Sequence, residues 1–335
     1  MAKKYVVVVT GAGSVMGQSI IKALSESDFS DHINLIVLNS LEVAAGFNFS
    51  DTLGGKFSSF ETLICPFATD PEYLGFIQHI VMEHSVNIIY PGTQHELSAL
   101  STYKELNDIV ACPSSLTAES CLDKATTVDV IRKMDIPAPE TVRVTGGTVE
   151  REIGFYPCIL KPNSSSASRN IFKCDNSKDL ETALDKYVEL GIKHAVVQDF
   201  IEGNEYTCGV YLDKYSGEVS SIILDRELTE DGASLYGVVV EDKTISEYLS
   251  SVALAFSKYA GFKYGHINVQ LRLAGDKPHL FEINGRLSST EAPKSQMGFN
   301  SVEAYFYNIV LNQPYKKFSP QLGKQFIRYY EEIYF

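Results

Sequence analysis

The stretch from Asn268 to Arg286, Asn-Val-Gln-Leu-Arg-Leu-Ala-Gly-Asp-Lys-Pro-His-Leu-Phe-Glu-Ile-Asn-Gly-Arg, limits what this chain can fold into more than any other. Two alternating runs flank the turn signal Ala274-Gly275-Asp276-Lys277, which predicts a β-hairpin. Centred on Asp276, the hairpin sets Gln270 opposite Glu282 and Asn268 opposite Asn284, and the two-residue period of a strand brings all four onto one face. Val269, Leu271, Leu273, Phe281 and Ile283 fall on the other, which is the core face. An ordinary solvated face would mix Lys, Thr and Ser, whereas here a carboxylate and carboxamides converge beside Arg286. Hard oxygen ligands of this kind suit Mg²⁺, or Mn²⁺, shared with the phosphates of a substrate.

On these residues the chain resembles the ATP-grasp superfamily, in the branch related to the large subunit of carbamoyl phosphate synthetase. The resemblance rests on Gly265-His-Ile-Asn-Val-Gln270, followed about a dozen residues on by Phe281-Glu-Ile-Asn-Gly-Arg286. It implies that Gln270, Glu282 and Asn284 hold magnesium ions bridging the phosphates of ATP, and that Arg286 steadies the transferred phosphoryl group. Gly285 stands where the family usually has proline, which loosens the backbone and removes no ligand.

The 335 residues are 44% hydrophobic and 21% charged, enough for two or three folded domains. A formal net charge of −13 argues against non-specific nucleic-acid binding, which needs clustered cations, and against anionic membranes. The six cysteines, at 65, 112, 121, 158, 174 and 208, form no CxxC pair. Neither a zinc site nor a disulfide framework is expected, and reduced thiols in a cytoplasmic protein are. Met-Ala-Lys-Lys runs straight into a strand, too short for a signal peptide, and no 18-residue apolar run occurs.

The β-branched run 5–9 predicts a strand buried on both faces, followed by a glycine turn and a helix over Gln18–Ser25. Strands over 34–38 and 87–90 and a helix over 72–83 make residues 1–113 an open parallel α/β domain. A helix is expected over 117–134, then strands at 158–161 and 195–199 bracketing a helix over 177–190. A strand-rich block over 206–284 encloses a helix at 245–260. The predicted class is therefore α/β: an ATP-grasp fold over 114–312, two α+β subdomains enclosing ATP, preceded by the open parallel-sheet pre-ATP-grasp domain. The alternating tail within 313–335 suits an edge strand docking on its own domain or on a partner chain, so a homodimer stays open.

Gly11-Ala-Gly-Ser-Val-Met-Gly17 fits G-x-G-x-x-x-G rather than the dinucleotide fingerprint, and Leu38-Asn39-Ser40 offers no acidic ribose partner. The family lends the loops of this domain to the small substrate. Pro91-Gly-Thr-Gln-His-Glu96 lies past a predicted strand, where open α/β sheets bind ligands. Thr93 and Glu96 are the substrate candidates, against the alternative that Glu96 simply opens the next helix.

Lys161, at the end of the strand 158–161, can reach phosphates as a compact charge. It precedes Asn163-Ser-Ser-Ser-Ala-Ser-Arg169, a loop of hydroxyls and backbone donors including Ser166 and Ser168. The resembled family has a glycine-rich phosphate lid here, and this chain lacks those glycines. By the same resemblance Gln198, the backbones of Asp199 and Ile201, and Glu205 form the adenine hinge and ribose contact. Lys124 matches the fold's other phosphate lysine, and Arg226 faces the acyl phosphate. The implied activity is that of an ATP-dependent carboxylate-amine ligase acting on an amino acid or sugar-linked acid through an acyl phosphate. Carbamate or bicarbonate phosphorylation and a nucleotide-binding regulator without turnover are the alternatives.

Overall fold

The computed structural model describes residues 3–163, 170–229 and 232–334. The candidate lid residues Ser166 and Ser168 lie outside them.

Four parallel strands, β1 (Tyr5–Val9), β2 (Ile33–Asn39), β3 (Ser59–Ile64) and β4 (Ile88–Tyr90), form a sheet in the order β3-β2-β1-β4. Helices α1 (Val15–Ser25), α2 (Phe49–Thr52), α3 (Tyr73–His84) and α4 (Gln94–Thr102) connect and cover it. The unbroken valine run of β1 reflects burial on both faces. Val7 and Val9 pack with Ile20 and Leu24 of α1, and Val8 packs with Ile36 and Ile77 on the opposite side. β3 escaped the sequence reading because it is an edge strand with mostly exposed residues and no regular alternation.

The single helix expected over 117–134 is two, α5 (Ser115–Leu122) and α6 (Lys124–Arg132). Asp123 between them is extended, with φ −95° and ψ 107°, and its carboxylate accepts the Thr126 N–H at 2.6 Å as an N-cap. The break moves Lys124 from a helix flank to the first turn of α6.

A second sheet of five antiparallel strands comprises β5 (Thr141–Thr145), β6 (Thr148–Val149), β7 (Cys158–Pro162), β8 (Phe172–Cys174) and β9 (His194–Asp199), in the order β6-β5-β9-β7-β8. Helix α7 (Ser177–Glu189) closes it with Leu180, Ala183 and Tyr187.

The third sheet has six antiparallel strands in the order β14-β13-β10-β11-β12-β15. These are β10 (Asn204–Leu212), β11 (Val219–Leu228), β12 (Ser234–Val240), β13 (Gly265–Ala274), β14 (Lys277–Asn284) and β15 (Gln325–Ile327). Helix α8 (Lys243–Tyr259) buries Leu249, Val252 and Phe256 on the face made by Cys208, Val210, Ile267 and Val269. The other face is divided. Its far part, with Tyr211, Ile222 and Leu224, is covered by α9 (Glu291–Gln296), α10 (Ser301–Phe306) and neighbouring chain, and Phe306 reaches Tyr5 of β1 with ring centroids 5.1 Å apart. The near part, with Thr207 and Gln270, is left open as a cavity wall.

The tail docks on its own chain, since β15 pairs with β12 through Tyr236↔Ile327 and Val238↔Gln325. Gly237 makes room for it, because a Cβ there would lie 2.5 Å from the Phe326 ring. Among the described residues no helix is long and apolar enough to cross a membrane.

Candidate active site

The β13–β14 hairpin pairs Gln270 with Glu282 and Asn268 with Asn284, as its alternation requires. The turn itself differs from the expectation. Ala274 pairs with Lys277, so the loop is the two residues Gly275-Asp276, and Leu271 pairs with Leu280. A bulge at Phe281 then restores the register at Glu282. Phe281 is consequently not on the core face as its parity predicts. It lines the cavity, and its carbonyl, left out of the ladder, accepts a hydrogen bond from Lys161 Nζ at 2.9 Å.

A cavity of about 500 Å³ lies between the second sheet and the polar part of the third. Lys124, Lys161, Gln198, Asp199, Ile201, Glu205, Arg226, Gln270, Glu282, Asn284 and Arg286 all line it. The fold thus gathers into one space side chains that the sequence spreads from Lys124 to Arg286.

Lys161, on β7, is 4% exposed, and burial pulls its ammonium down to about 7 against the opposing pull of Glu282. An amine so desolvated gains most from an added anion such as a phosphate. Lys124 sits beside it, and Asn163 fixes the geometry of both segments. Asn163 donates to Asp123 Oδ2 at 2.5 Å and accepts the Ala125 N–H at 3.3 Å. Its carbonyl accepts Lys124 Nζ at 3.5 Å.

At the hinge, Gln198 Nε2 donates to Thr141 Oγ1 at 3.1 Å. The Asp199 N–H is engaged by Glu140 O at 2.8 Å, so only the carbonyl side of Asp199 remains for a ligand. The Ile201 carbonyl accepts from Arg272 at 3.2 Å, while no partner for its N–H is found among the described residues.

Glu205 is held by two guanidinium groups, Arg226 at 2.9 Å and Arg272 at 3.2 Å. Arg226, inside β11, also donates to Gln270 Oε1 at 3.0 Å. This bears on the three metal candidates. The Gln270 oxygen is committed to Arg226, whereas among the described residues Glu282 has only Asn284 Nδ2 on one of its oxygens, at 3.1 Å. Glu282 and the Asn284 carbonyl oxygen therefore fit a hard cation. Among the described residues no cluster of three or more His, Cys, Asp or Glu side chains surrounds a metal position, so such an ion would rely on phosphate oxygens.

Arg286 lies at the junction with the first sheet. Its Nε donates to Gln94 Oε1 at 3.1 Å and an Nη donates to Leu287 O at 3.0 Å. Burial lowers its pKa, with Glu282 and Glu291 opposing. Gly285, beside it, permits close packing rather than looseness, since a Cβ would lie 3.2 Å from Cys121 Sγ and 3.3 Å from Ala118 Cα on α5.

Thr93 and Glu96 do not line the cavity. Thr93 caps α4 by accepting the Glu96 N–H at 3.2 Å, and its hydroxyl donates to Glu96 Oε2 at 2.9 Å. Glu96 is 5% exposed, and a Cβ on Gly11 would stand 2.5 Å from its carboxylate, so the glycine loop is folded down onto it. It is Gln94 of this segment that reaches the site, through Arg286.

The sequence reading missed Arg328. This residue follows β15, lines the cavity and donates to the Ser289 carbonyl, while its own N–H donates to Leu235 O at 2.8 Å. The signal was parity, because Arg328 shares a strand face with Phe326. Lys294 was missed too, and it is wholly buried behind the cavity wall, where Nζ donates to Asn268 Oδ1 at 2.9 Å.

Comparison with known proteins places this geometry. The ATP-grasp domain profile matches residues 121–290, half of the chain. A D-alanine-D-alanine ligase of Fusobacterium nucleatum is 28% identical over 121 residues, which span 36% of this chain and only 38% of that enzyme. A ligase of the same name from Clostridium botulinum is 24% identical over 215 residues, 60% of this chain and 70% of that one. The crystal structure of an L-amino acid ligase from Bacillus licheniformis superposes with a TM-score of 0.70 at 15% identity, covering 96% of this chain and 78% of that one. The profile over half of the chain and the superposition over 96% of it agree with the motif-based expectation: the protein belongs to the ATP-grasp family.

Proposed function

We propose that the protein is an ATP-dependent ligase that activates a small carboxylic acid as an acyl phosphate and joins it to an amine. The observation that carries this reading is the single cavity with phosphate-seeking lysines, Lys124 and Lys161, at one part and two guanidinium groups, Arg286 and Arg328, at another. Between them lies the Glu282–Asn284 face, suited to a Mg²⁺ that would neutralise phosphate charge when bound. The names of the relatives support the same class, carboxylate-amine ligation.

The purine lies against the hinge, where the Ile201 N–H can donate to a ring nitrogen and the Asp199 carbonyl can accept an amino hydrogen. Ile159 and Phe281, both lining the cavity, provide apolar surface for its faces. Lys161 and Lys124 hold the phosphates. Arg286, and Arg328 across the Ser289 carbonyl, orient the acid so that a carboxylate oxygen attacks the γ-phosphorus as the bond to the β–γ bridging oxygen breaks. The amine nitrogen then attacks the acyl carbon, and phosphate leaves with the electron pair of the C–O bond. No covalent enzyme intermediate is needed, because oriented charges supply the stabilisation. Division of the chain at 113 and 312 and action in the cytoplasm belong to the same reading.

Hydroxylamine trapping tests it. ATP, Mg²⁺, hydroxylamine and a panel of amino, hydroxy and sugar acids should yield a hydroxamate with at least one acid. Tight ATP binding with neither hydroxamate nor acid-stimulated ADP would instead support a nucleotide-binding regulator, the reading favoured by the glycine-free 163–170 segment.

A further inference from the structure

Directly after Arg286 the chain carries a hydrogen-bond network that the ligation scheme above does not use. Lys294 and Glu291, both on α9, are at most 1% exposed. Lys294 Nζ donates to Asn268 Oδ1 at 2.9 Å, Ser288 Oγ at 3.0 Å and Glu291 Oε1 at 3.2 Å. Three contacts use all three protons of the ammonium. Gly209 leaves the space for it, since a Cβ there would lie 3.1 Å from Nζ.

These donors constrain the hydroxyls of Ser288 and Thr290. Glu291 Oε1 also accepts the Ser288 N–H at 3.1 Å, so one carboxylate oxygen faces an ammonium and an amide donor. Burial alone would raise this carboxyl, but Lys294, His266 and Ser288 bring it down to about 2, and it carries no proton. Ser288 Oγ lies 2.8 Å from the same oxygen, and the proton between them is therefore the serine's own. Ser288 Oγ is also 2.7 Å from Thr290 Oγ1. With the serine proton engaged, that short contact requires the threonine's. Lys294 and the threonine hydroxyl thus take both lone pairs of the serine oxygen, and the Thr290 N–H, at 3.2 Å the longest of its contacts, only shares one of them. Thr290 Oγ1 is left with lone pairs only and has no other partner among the described residues, and Thr290 lines the cavity.

We propose that Thr290 Oγ1 accepts an N–H of the incoming amine, and that Lys294 and Glu291 are positioning residues that set its polarity from behind the wall. The inference rests on the ligase reading and names the group that holds the nucleophile. An amine attacks with its lone pair on the acyl carbon, so its N–H bonds must point to acceptors. As the N–C bond forms, the C–O bond to phosphate breaks, and the surplus proton leaves with the phosphate while Thr290 keeps the nitrogen oriented.

The test uses hydroxylamine as the amine, with ATP, Mg²⁺ and the acid that gives hydroxamate with the parent protein. Thr290→Val keeps the volume and removes the acceptor. It should raise the hydroxylamine KM about tenfold or more, as expected for loss of one hydrogen bond to a reacting nitrogen, while the ATP KM stays within about twofold. Thr290→Ser should restore the hydroxylamine KM to within about threefold. An unchanged hydroxylamine KM in folded Thr290→Val overturns the proposal, as does a general fall in kcat with no selective change in KM. If the parent protein forms no hydroxamate on any acid while binding ATP, the ligase reading falls, and this inference falls with it.

Discussion

The two ends of the cavity are built on opposite principles. At the end proposed for metal and phosphate, Gln270, Glu282 and Asn284 come from neighbouring strands of one hairpin, and a two-residue period decides which way they point. At the other end, Gln94, Arg286, Thr290 and Arg328 come from the first sheet's edge, the loop after β14, the start of α9 and the docked tail. The first end is half open, and the wall behind the second holds Glu291 and Lys294 with essentially no solvent contact. Periodicity therefore encodes the hairpin face directly, whereas the opposite wall exists only after distant segments have packed.

The sharpest way to break this comparison is to remove the hairpin's carboxylate. Glu282→Ala should cut acid-dependent ADP formation by about a thousandfold or more, roughly 4 kcal/mol, because among the described residues Glu282 is the carboxylate that the hairpin turns to the cavity. Its urea midpoint should stay near that of the parent, since the side chain faces the cavity rather than the core. Activity within tenfold of the parent would show that the hairpin face is not the metal site.

The wall should respond in the reverse way, through stability. Lys294→Met leaves Glu291 buried without its cation and should cost about 3–5 kcal/mol in urea unfolding. The double variant Lys294→Met/Glu291→Gln should recover much of that loss. Equal losses for the single and double variants would mean that the pair matters only as packed volume.

Arg328→Ala should raise the KM of the acid about thirtyfold, some 2 kcal/mol for a charge-assisted hydrogen bond, with ATP affinity within about threefold. A selective loss of ATP affinity instead would move Arg328 to the phosphate end.

Lys161 gives a pH signature. Free, its amine loses its proton as pH rises through about 7, because burial disfavours the charge. Bound phosphates favour the charged form and raise the pKa, so ATP binding above pH 7 takes up a proton, and affinity should fall by up to about tenfold per pH unit there. Calorimetry at pH 8 in two buffers of different ionisation heat measures that uptake. Absence of uptake would show that Lys161 does not meet the phosphates. Lys161→Ala should also weaken ATP binding more than Lys124→Ala, since the Lys161 amine is already held in place by the Phe281 carbonyl.

The smallest effect is expected at Glu96. Its carboxylate is engaged by Thr93 and the helix start, so Glu96→Gln should leave the acid KM within about twofold. A large increase would restore this residue to the substrate contacts.

Much of the site was legible because its residues sit at strand ends or on alternating faces, where identity and spacing suffice. Lys161, Gln198, Glu282 and Asn284 could be placed from local pattern and family resemblance together. Phe281 could not, because a bulge changes parity at one position, and no residue type announces it. Arg226 was assigned to the site, yet its grip on Gln270 and Glu205 depends on the register between β10, β11 and β13. Lys294 reads in sequence as one more helix-surface lysine, and only the glycine at 209 on a distant strand lets its ammonium come to rest under the wall.

By itself the sequence determined the parallel first sheet, the polar face of the hairpin and the order of the nucleotide motifs, since each follows from local periodicity, turn residues and short spacings. The tertiary structure decided the opposite end of the cavity: which tail arginine enters it, which lysine is buried behind it, and which groups surround the Thr290 hydroxyl. Those depend on desolvation and on proton counting among groups that meet only when the sheets and α9 close together, and no pattern along the chain contains that information.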